Sequence, residues 1–279
     1  MNRLSRLKSR IRNRYYRARV QWRNHLPRAK PIFSVVIPIY DRTGVVAEAI
    51  HSVLTQSFVN FELLLVCDGS PPQTRAVVEQ YRDHRQVRIH HFAQSSGNAC
   101  RARNHGVMMA AGEFVAFLDS DDIAAESRLE RSYYYLLREG VDLVGGAIEY
   151  LVEDESNRQF ENGQIGFTSE KVTYQHLLEQ NMLSICTVAV RRSWLLRYGQ
   201  FRKKMRYRED HELWLRLARN GCSIHNVPEV FAKYRIHQGN AELGYLKDDD
   251  HWFKQALTLH KMPYRPEIEA SGVEEELSL

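Results

Sequence analysis

Nowhere in these 279 residues does an apolar run approach the roughly 18 that a membrane-spanning helix requires. The charged N-terminus also lacks the apolar centre of a secretory signal. Cysteine is scarce: Cys67, Cys100, Cys186 and Cys222 lie far apart and form no C-x-x-C pair. That spacing argues against a zinc site and against a dense disulfide framework, and it fits a reducing cytosol. Glycine is thin where a phosphate loop would need it. The stretch Pro38-Ile39-Tyr40-Asp41-Arg42-Thr43-Gly44 holds one glycine, which counts against a nucleotidyltransferase-type loop. No internal repeat is visible. A hydrophobic fraction of 43% beside 26% charged residues is ordinary for a globular protein, and the length suits one large domain with or without extensions.

Acid is missing altogether from residues 1–30, which carry eleven Lys or Arg. The whole chain has a net charge of +5, so the remainder, with 28 basic and 34 acidic residues, stands at −6. In the arm, Leu4, Leu7, Ile11, Tyr15, Ala18 and Trp22 recur at steps of three and four, which predicts an amphipathic helix stopped by Pro27 and Pro31. Such a basic helix over residues 1–26 suits an anionic membrane surface, on the cytoplasmic face if the compartment is the cytosol. A disordered basic arm and a nucleic-acid-binding tail are the other readings. The acidic balance of the rest opposes nucleic acid as a partner, because phosphate binding wants basic surface on the folded body too.

After Pro31 strands and helices alternate. Strands are predicted over Phe33–Ile37, Phe61–Cys67, Val87–Phe92 and Phe114–Leu118. Helices are predicted over Val45–Leu54, Thr74–Arg82, Ala99–Ala111 and near 126–139. Continuous apolar strands in such an alternation imply an α/β fold: a mostly parallel sheet with helices on both faces. Ligands in these sheets sit beyond the strand C-termini. Here those ends read Pro38-Ile39-Tyr40-Asp41, Asp68-Gly69-Ser70 and Asp119-Ser120-Asp121. The second half is less regular. It predicts a strand over Val141–Leu151 with a bend or close approach at Gly145-Gly146 and a polar loop over 152–168. A short strand Cys186–Val190 follows, then a helix Asp210–Asn220 ended by Gly221, a strand-like Val230–Tyr234, a helix Lys247–His260 and an acidic, disordered end.

The densest chemistry is Phe117-Leu118-Asp119-Ser120-Asp121-Asp122, where an apolar run stops in three carboxylates. Clustered acids at a strand end are poor core material. They can hold a divalent cation beside a phosphorylated ligand, since hard cations share oxygen ligands with phosphates. An acidic turn or helix cap is the alternative.

Taken together, these segments resemble the family-2 glycosyltransferases, inverting sugar-nucleotide-dependent enzymes of the Rossmann-like A-type fold. The likeness runs from about Phe33 to Asn240. It rests on Pro38-Ile39-Tyr40-Asp41, Cys67-Asp68-Gly69-Ser70, Ala102-Arg103-Asn104-His105-Gly106 with Ala111-Gly112-Glu113, and Leu118-Asp119-Ser120-Asp121-Asp122. It continues in Arg208-Glu209-Asp210-His211-Glu212-Leu213-Trp214 and Tyr234-Arg235-Ile236-His237. Cys67 stands where the family carries the first acid of Asp-Asp-Gly-Ser, which leaves the nucleotide base open.

The resemblance implies transfer of a sugar from a nucleotide diphosphate, most simply a UDP-sugar, to a hydroxyl of a glycan or lipid-linked acceptor in cell-surface polysaccharide synthesis. It implies Mn²⁺ or Mg²⁺ at Asp121, with His237 and Asp119 nearby and Asp119 also on the ribose. Asp210 would be the general base, with Glu209 beside it. Pro38, Ile39, Tyr40, Asp68 and Arg103 would hold the nucleotide. Asp122 is either part of this group or a cap. The implied organisation is a basic arm over 1–30, a catalytic domain over 31–240 and a C-terminal helix and tail over 241–279, with specificity in 152–185 and 238–260. A haloacid-dehalogenase-like phosphohydrolase also uses Asp-x-Asp after a strand. It would want Thr or Val where Asp122 stands. An inactive, binding-only relative is opposed by the intact acids at 119, 121 and 210.

Overall fold

The computed structural model describes residues 30–153, 159–237 and 249–264. The expected amphipathic arm and acidic end lie outside the described residues. In chain order the elements are β1 (Phe33–Ile39), α1 (Val46–Leu54), β2 (Phe61–Asp68), α2 (Pro72–Glu79), β3 (Val87–Phe92), α3 (Cys100–Met109), β4 (Phe114–Phe117), β5 (Ile123–Ala124) and α4 (Arg128–Arg138). They continue with β6 (Leu143–Val152), β7 (Ile165–Gly166), β8 (Lys171–Val172), α5 (Tyr174–Glu179), β9 (Ala189–Arg191), α6 (Arg192–Tyr198), α7 (Glu209–Arg219), β10 (Ile224–Ile236) and α8 (Asp249–Leu259).

One sheet runs through the body in the order β3-β2-β1-β4-β9-β6-β10-β5. Its first four strands are parallel, and β6 pairs with β10 in parallel as well. Between these halves β9 runs antiparallel to both β4 and β6. β1 and β2 are buried along their whole length, which is why their sequences show no polar alternation. Their side chains still divide by the period of two. Val35, Ile37 and Ile39 join one core with Ile50 of α1 and Tyr133 of α4. Val36 and Leu64 join the other with Val107 of α3 and Trp214 of α7. The sheet is thus covered on both faces, as the alternation predicted.

The second half departs from expectation in three places. Cys186–Val190 is not a strand: Ile185–Thr187 forms a 3₁₀ turn, and pairing begins only at Ala189. The polar stretch read as a loop contributes β7, an antiparallel partner of β6, and β8 on β10 follows it. The expected strand 230–234 is the end of a 13-residue strand. Gly146 is a close approach rather than a bend, since a Cβ there would stand 2.4 Å from the Phe231 ring. α8 lies within the predicted 247–260 and packs Ala256 into the core that holds Trp214. No helix among the described residues is long and apolar enough to cross a membrane.

Candidate active site

The C-terminal ends of β1, β2 and β4 open into a cleft of about 1000 Å³. Pro38, Ile39, Tyr40, Asp68, Asp119 and Asp121 line one part of it, and Arg103, Glu209 and Asp210 another. Parallel strands deliver their ends to one edge, so residues far apart in sequence meet there. Ser70 Oγ donates to Ile39 O (2.9 Å) and ties two of these ends together. Tyr40 is 54% exposed and presents a ring that a base could stack on.

Asp68 is held by its own surroundings. Its Oδ2 accepts from Ser96 N (2.8 Å) and Ser96 Oγ (2.9 Å), and its Oδ1 from Arg101 Nε (2.7 Å). The Arg101 guanidinium lies 4.2 Å from the Phe92 ring centre. Any base that reaches Asp68 shares it with these donors. The turn that follows depends on Gly69, which has φ +71°, and a Cβ there would meet Ser95 N at 2.1 Å. Burial pushes the Cys67 thiol up to about 11, so a neutral group stands where the family has an acid.

Arg103 is the bridge of the site. It is buried, and its Nη1 donates to Glu209 Oε1 (2.6 Å) while Nη2 donates to Asp119 Oδ1 (2.8 Å). Burial alone would lower its pKa, but the carboxylates of Asp119 and Glu209 more than offset this and the guanidinium is held charged. For Glu209 burial is the larger influence and raises its pKa; Arg103 opposes it and the charge of Asp210 adds to it. Arg103 therefore lines the cleft while tied to two acids.

Asp210 differs from its neighbour. Its Oδ2 accepts from Asn181 Nδ2 (3.0 Å) and its Oδ1 from His211 N (2.7 Å). Both donors are neutral amides. Arg208, just before α7, has φ +55°, the one non-glycine among the described residues with positive φ. A left-handed residue at this point marks a turn held by its surroundings.

Beyond β4, Asp121 Oδ2 lies 3.1 Å from His237 Nε2 and accepts from Arg42 Nε (2.9 Å). Burial would raise the Asp121 carboxyl, but the hydrogen bond from His237 and the charge of Arg42 more than offset this and hold it low. Among the described residues no group of three or more His, Cys, Asp or Glu forms a metal cage. The pair fits a different arrangement, in which one carboxylate and one imidazole hold a divalent ion and phosphate oxygens complete its shell. Asp119 is not part of the pair; its Oδ1 is taken by Arg103. Asp122 is no simple cap. It is buried, its Oδ1 accepts from Arg235 N (2.9 Å), and burial with the charges of Asp121 and Asp119 raises its pKa well above the usual range.

The sequence assigns no role to Arg42, Arg101, Asn181 or Arg235, although Arg42 and Arg235 stand in its motifs. Arg101 had a signal. Two arginines two apart at the start of a helix point to different sides, here one to Asp68 and one to Asp119 and Glu209. Asn181 had none, since it lies in a stretch without period.

This sheet, with acids at the ends of its parallel strands, has the α/β arrangement of the A-type glycosyltransferase fold. Residues 34–199 match the profile of Glycosyl transferase family 2, and the chain belongs to that family. It is similar to the UDP-Glc:alpha-D-GlcNAc-diphosphoundecaprenol beta-1,3-glucosyltransferase WfgD of Escherichia coli. That match is 29% identical over 219 residues, covering 78% of this chain and 82% of the relative. Two solved structures share the fold. Residues 1–349 of S. aureus TarS, in complex with UDP-GlcNAc, match with a TM-score of 0.66 at 23% identity, over 87% of this chain and 68% of that one. The mannosyltransferase PcManGT of Pyrobaculum calidifontis, in complex with GDP-Man and Mn²⁺, matches with a TM-score of 0.63 at 17% identity, over 91% of this chain and 73% of that one.

Proposed function

We propose that this glycosyltransferase moves a sugar from a uridine diphosphate donor to a hydroxyl of a lipid-linked glycan in cell-surface polysaccharide synthesis, with inversion at the anomeric carbon. The observation that carries the reading is the division of labour in one cleft. Asp121 and His237 face each other at 3.1 Å, while the donors to Asp210 among the described residues are the Asn181 and His211 amides. Asp210 lines the cleft at the start of α7 and acts as the general base on the acceptor hydroxyl. Glu209, bound to Arg103, supports this geometry and does not take the proton itself.

Asp68, Pro38, Ile39 and Tyr40 hold the base and Asp119 the ribose. Asp121 and His237 would hold Mn²⁺ or Mg²⁺, whose chemistry there is to stabilise the charge of the departing diphosphate. The E. coli relative is named for a UDP-Glc donor and a diphosphoundecaprenol-linked acceptor, which supports both ends of the reading. Residues 1–26 would keep the enzyme on the cytoplasmic face of a membrane. The catalytic domain would span 31–240, followed by a C-terminal helix and tail over 241–279, with 152–185 and 238–260 choosing the acceptor. The test is a screen of sugar nucleotides with Mn²⁺ for protection against unfolding and for slow hydrolysis, followed by NMR of the glycosylated product. A UDP-sugar that protects and yields an inverted product is expected. A retained configuration would overturn the single displacement, and protection by no nucleotide sugar would overturn the donor class.

A further inference from the structure

Asp121 and His237 are 116 residues apart, and each stands at the edge of an element: Asp121 in the turn after β4, His237 directly after β10. Something must hold two such positions in register. The β5–β10 ladder pairs Ala124 with Ala232 and Ile123 with Lys233 in antiparallel. Two further steps along that ladder set Arg235 opposite Asp121. Backbone pairing has ended there, and side chains continue it. The Arg235 backbone N–H donates to Asp122 Oδ1 (2.9 Å), a carboxylate in place of a strand carbonyl. Arg235 Nε donates to Asp121 O (2.7 Å), a guanidinium in place of a strand amide. Residues 121–122 and 235 thus clasp each other reciprocally, and His237 follows two residues later on the same strand face.

We propose that Asp122 and Arg235 are positioning residues that fix the separation of Asp121 and His237 and so set the affinity of the site for its divalent cation. The inference rests on the reading of Asp121 and His237 as the cation-holding pair. Charge supports it. The Arg235 side chain is 3% exposed, and a buried cation next to a metal would oppose it. Its two terminal nitrogens are bound to carboxylates from flanking elements, Nη2 to Glu48 of α1 (2.8 Å) and Nη1 to Glu153 after β6. These acids neutralise Arg235 while anchoring it, so the clasp can hold the loop without repelling an ion. Lysine could not replace it, because one ammonium cannot make the planar, divergent set of bonds. Removal of partners that orient metal ligands typically weakens metal affinity about 10–100-fold.

The test measures the Mn²⁺ concentration that half-saturates UDP binding in the full chain by titration calorimetry, beside UDP binding in chelator and the unfolding temperature without metal. Arg235→Lys and Asp122→Ala should raise half-saturation about 10-fold or more while UDP binding in chelator stays within about two-fold. Asp122→Asn keeps an oxygen for the Arg235 N–H and should restore a value near wild type. Glu48→Gln, which leaves the clasp bonds in place if the other variants fold poorly, should shift half-saturation by a few-fold. Unchanged half-saturation in Arg235→Lys and Asp122→Ala would overturn the proposal. So would an equal loss of UDP binding with and without metal, which would mark a merely structural role. Wild-type binding of UDP that does not depend on Mn²⁺ at all would instead overturn the assignment of Asp121 and His237, and this inference with it.

Discussion

Replacing Arg103 by methionine would test the electrostatic frame of the cleft. The substitution keeps much of the side-chain volume in the wall near Phe201 but removes the cation that Asp119 and Glu209 share. Removing one partner of a buried ion pair costs about 3–5 kcal/mol, because the charge left behind is no longer compensated. The two acids here retain 24% and 16% of their side-chain exposure, so water recovers part of that loss and the lower end applies, about 3 kcal/mol. In a body of this size each kcal/mol moves the unfolding temperature by about 2–4 °C, which predicts a fall of about 6–12 °C near neutral pH. The pH dependence gives the sharper check. Burial raises the Glu209 carboxyl in the fold and Arg103 opposes that rise. A carboxyl whose folded pKa exceeds its unfolded value binds its proton more tightly when folded, so stability falls as pH climbs through the interval between the two. Without Arg103 that interval widens upward. The deficit of Arg103→Met against wild type should therefore shrink on going from pH 7.5 to pH 5. Thermal unfolding of both proteins at the two pH values measures it. A deficit that grows toward pH 5, or an unfolding temperature at pH 7.5 equal to wild type, would refute the argument.

Asp210→Asn should lower kcat by about 10²–10⁴-fold with donor affinity nearly unchanged, read from initial rates and UDP calorimetry; a two-fold loss would remove Asp210 from the role of base. Gly69→Ala should destabilise the fold by about 1–3 kcal/mol through its left-handed backbone and weaken nucleotide binding further, because its Cβ drives into the segment that holds Asp68. Normal unfolding and UDP binding in that variant would contradict the close approach. Deleting residues 1–26 should release the protein from anionic vesicles in a sedimentation assay while leaving donor hydrolysis intact. Each of its basic residues contributes about 1 kcal/mol near such a surface, less with neighbours and salt. Equal vesicle binding with and without the arm would rule that role out.

What could be read from the sequence and what could not divides along a physical line. β1 to β4 declared themselves because parallel strands buried on both faces need unbroken apolar runs, and the acids at their ends stand out against them. The site residues at those ends were legible for the same reason: Asp68, Asp119 and Asp121 are carboxylates adjoining core. β7, β8 and the 3₁₀ turn at Ile185–Thr187 carried no such contrast, being two or three residues long and set by partners far away in sequence. Arg103 shows a subtler case. The family resemblance marks it as functional, yet only the fold brings Glu209, 106 residues distant, within 2.6 Å of it and makes it a bridge between two acids. Arg235 is the extreme case. It bonds Glu48, Glu153 and the adjacent pair Asp121 and Asp122, three segments far apart in sequence, and no local pattern could announce such a meeting. Local propensity and burial write the scaffold into short windows of sequence. The pairings that tune charge in the cleft are long-range products of that scaffold, and for that reason the bonds joining residues 121–122 to Arg235 become visible only once β5 and β10 are laid side by side.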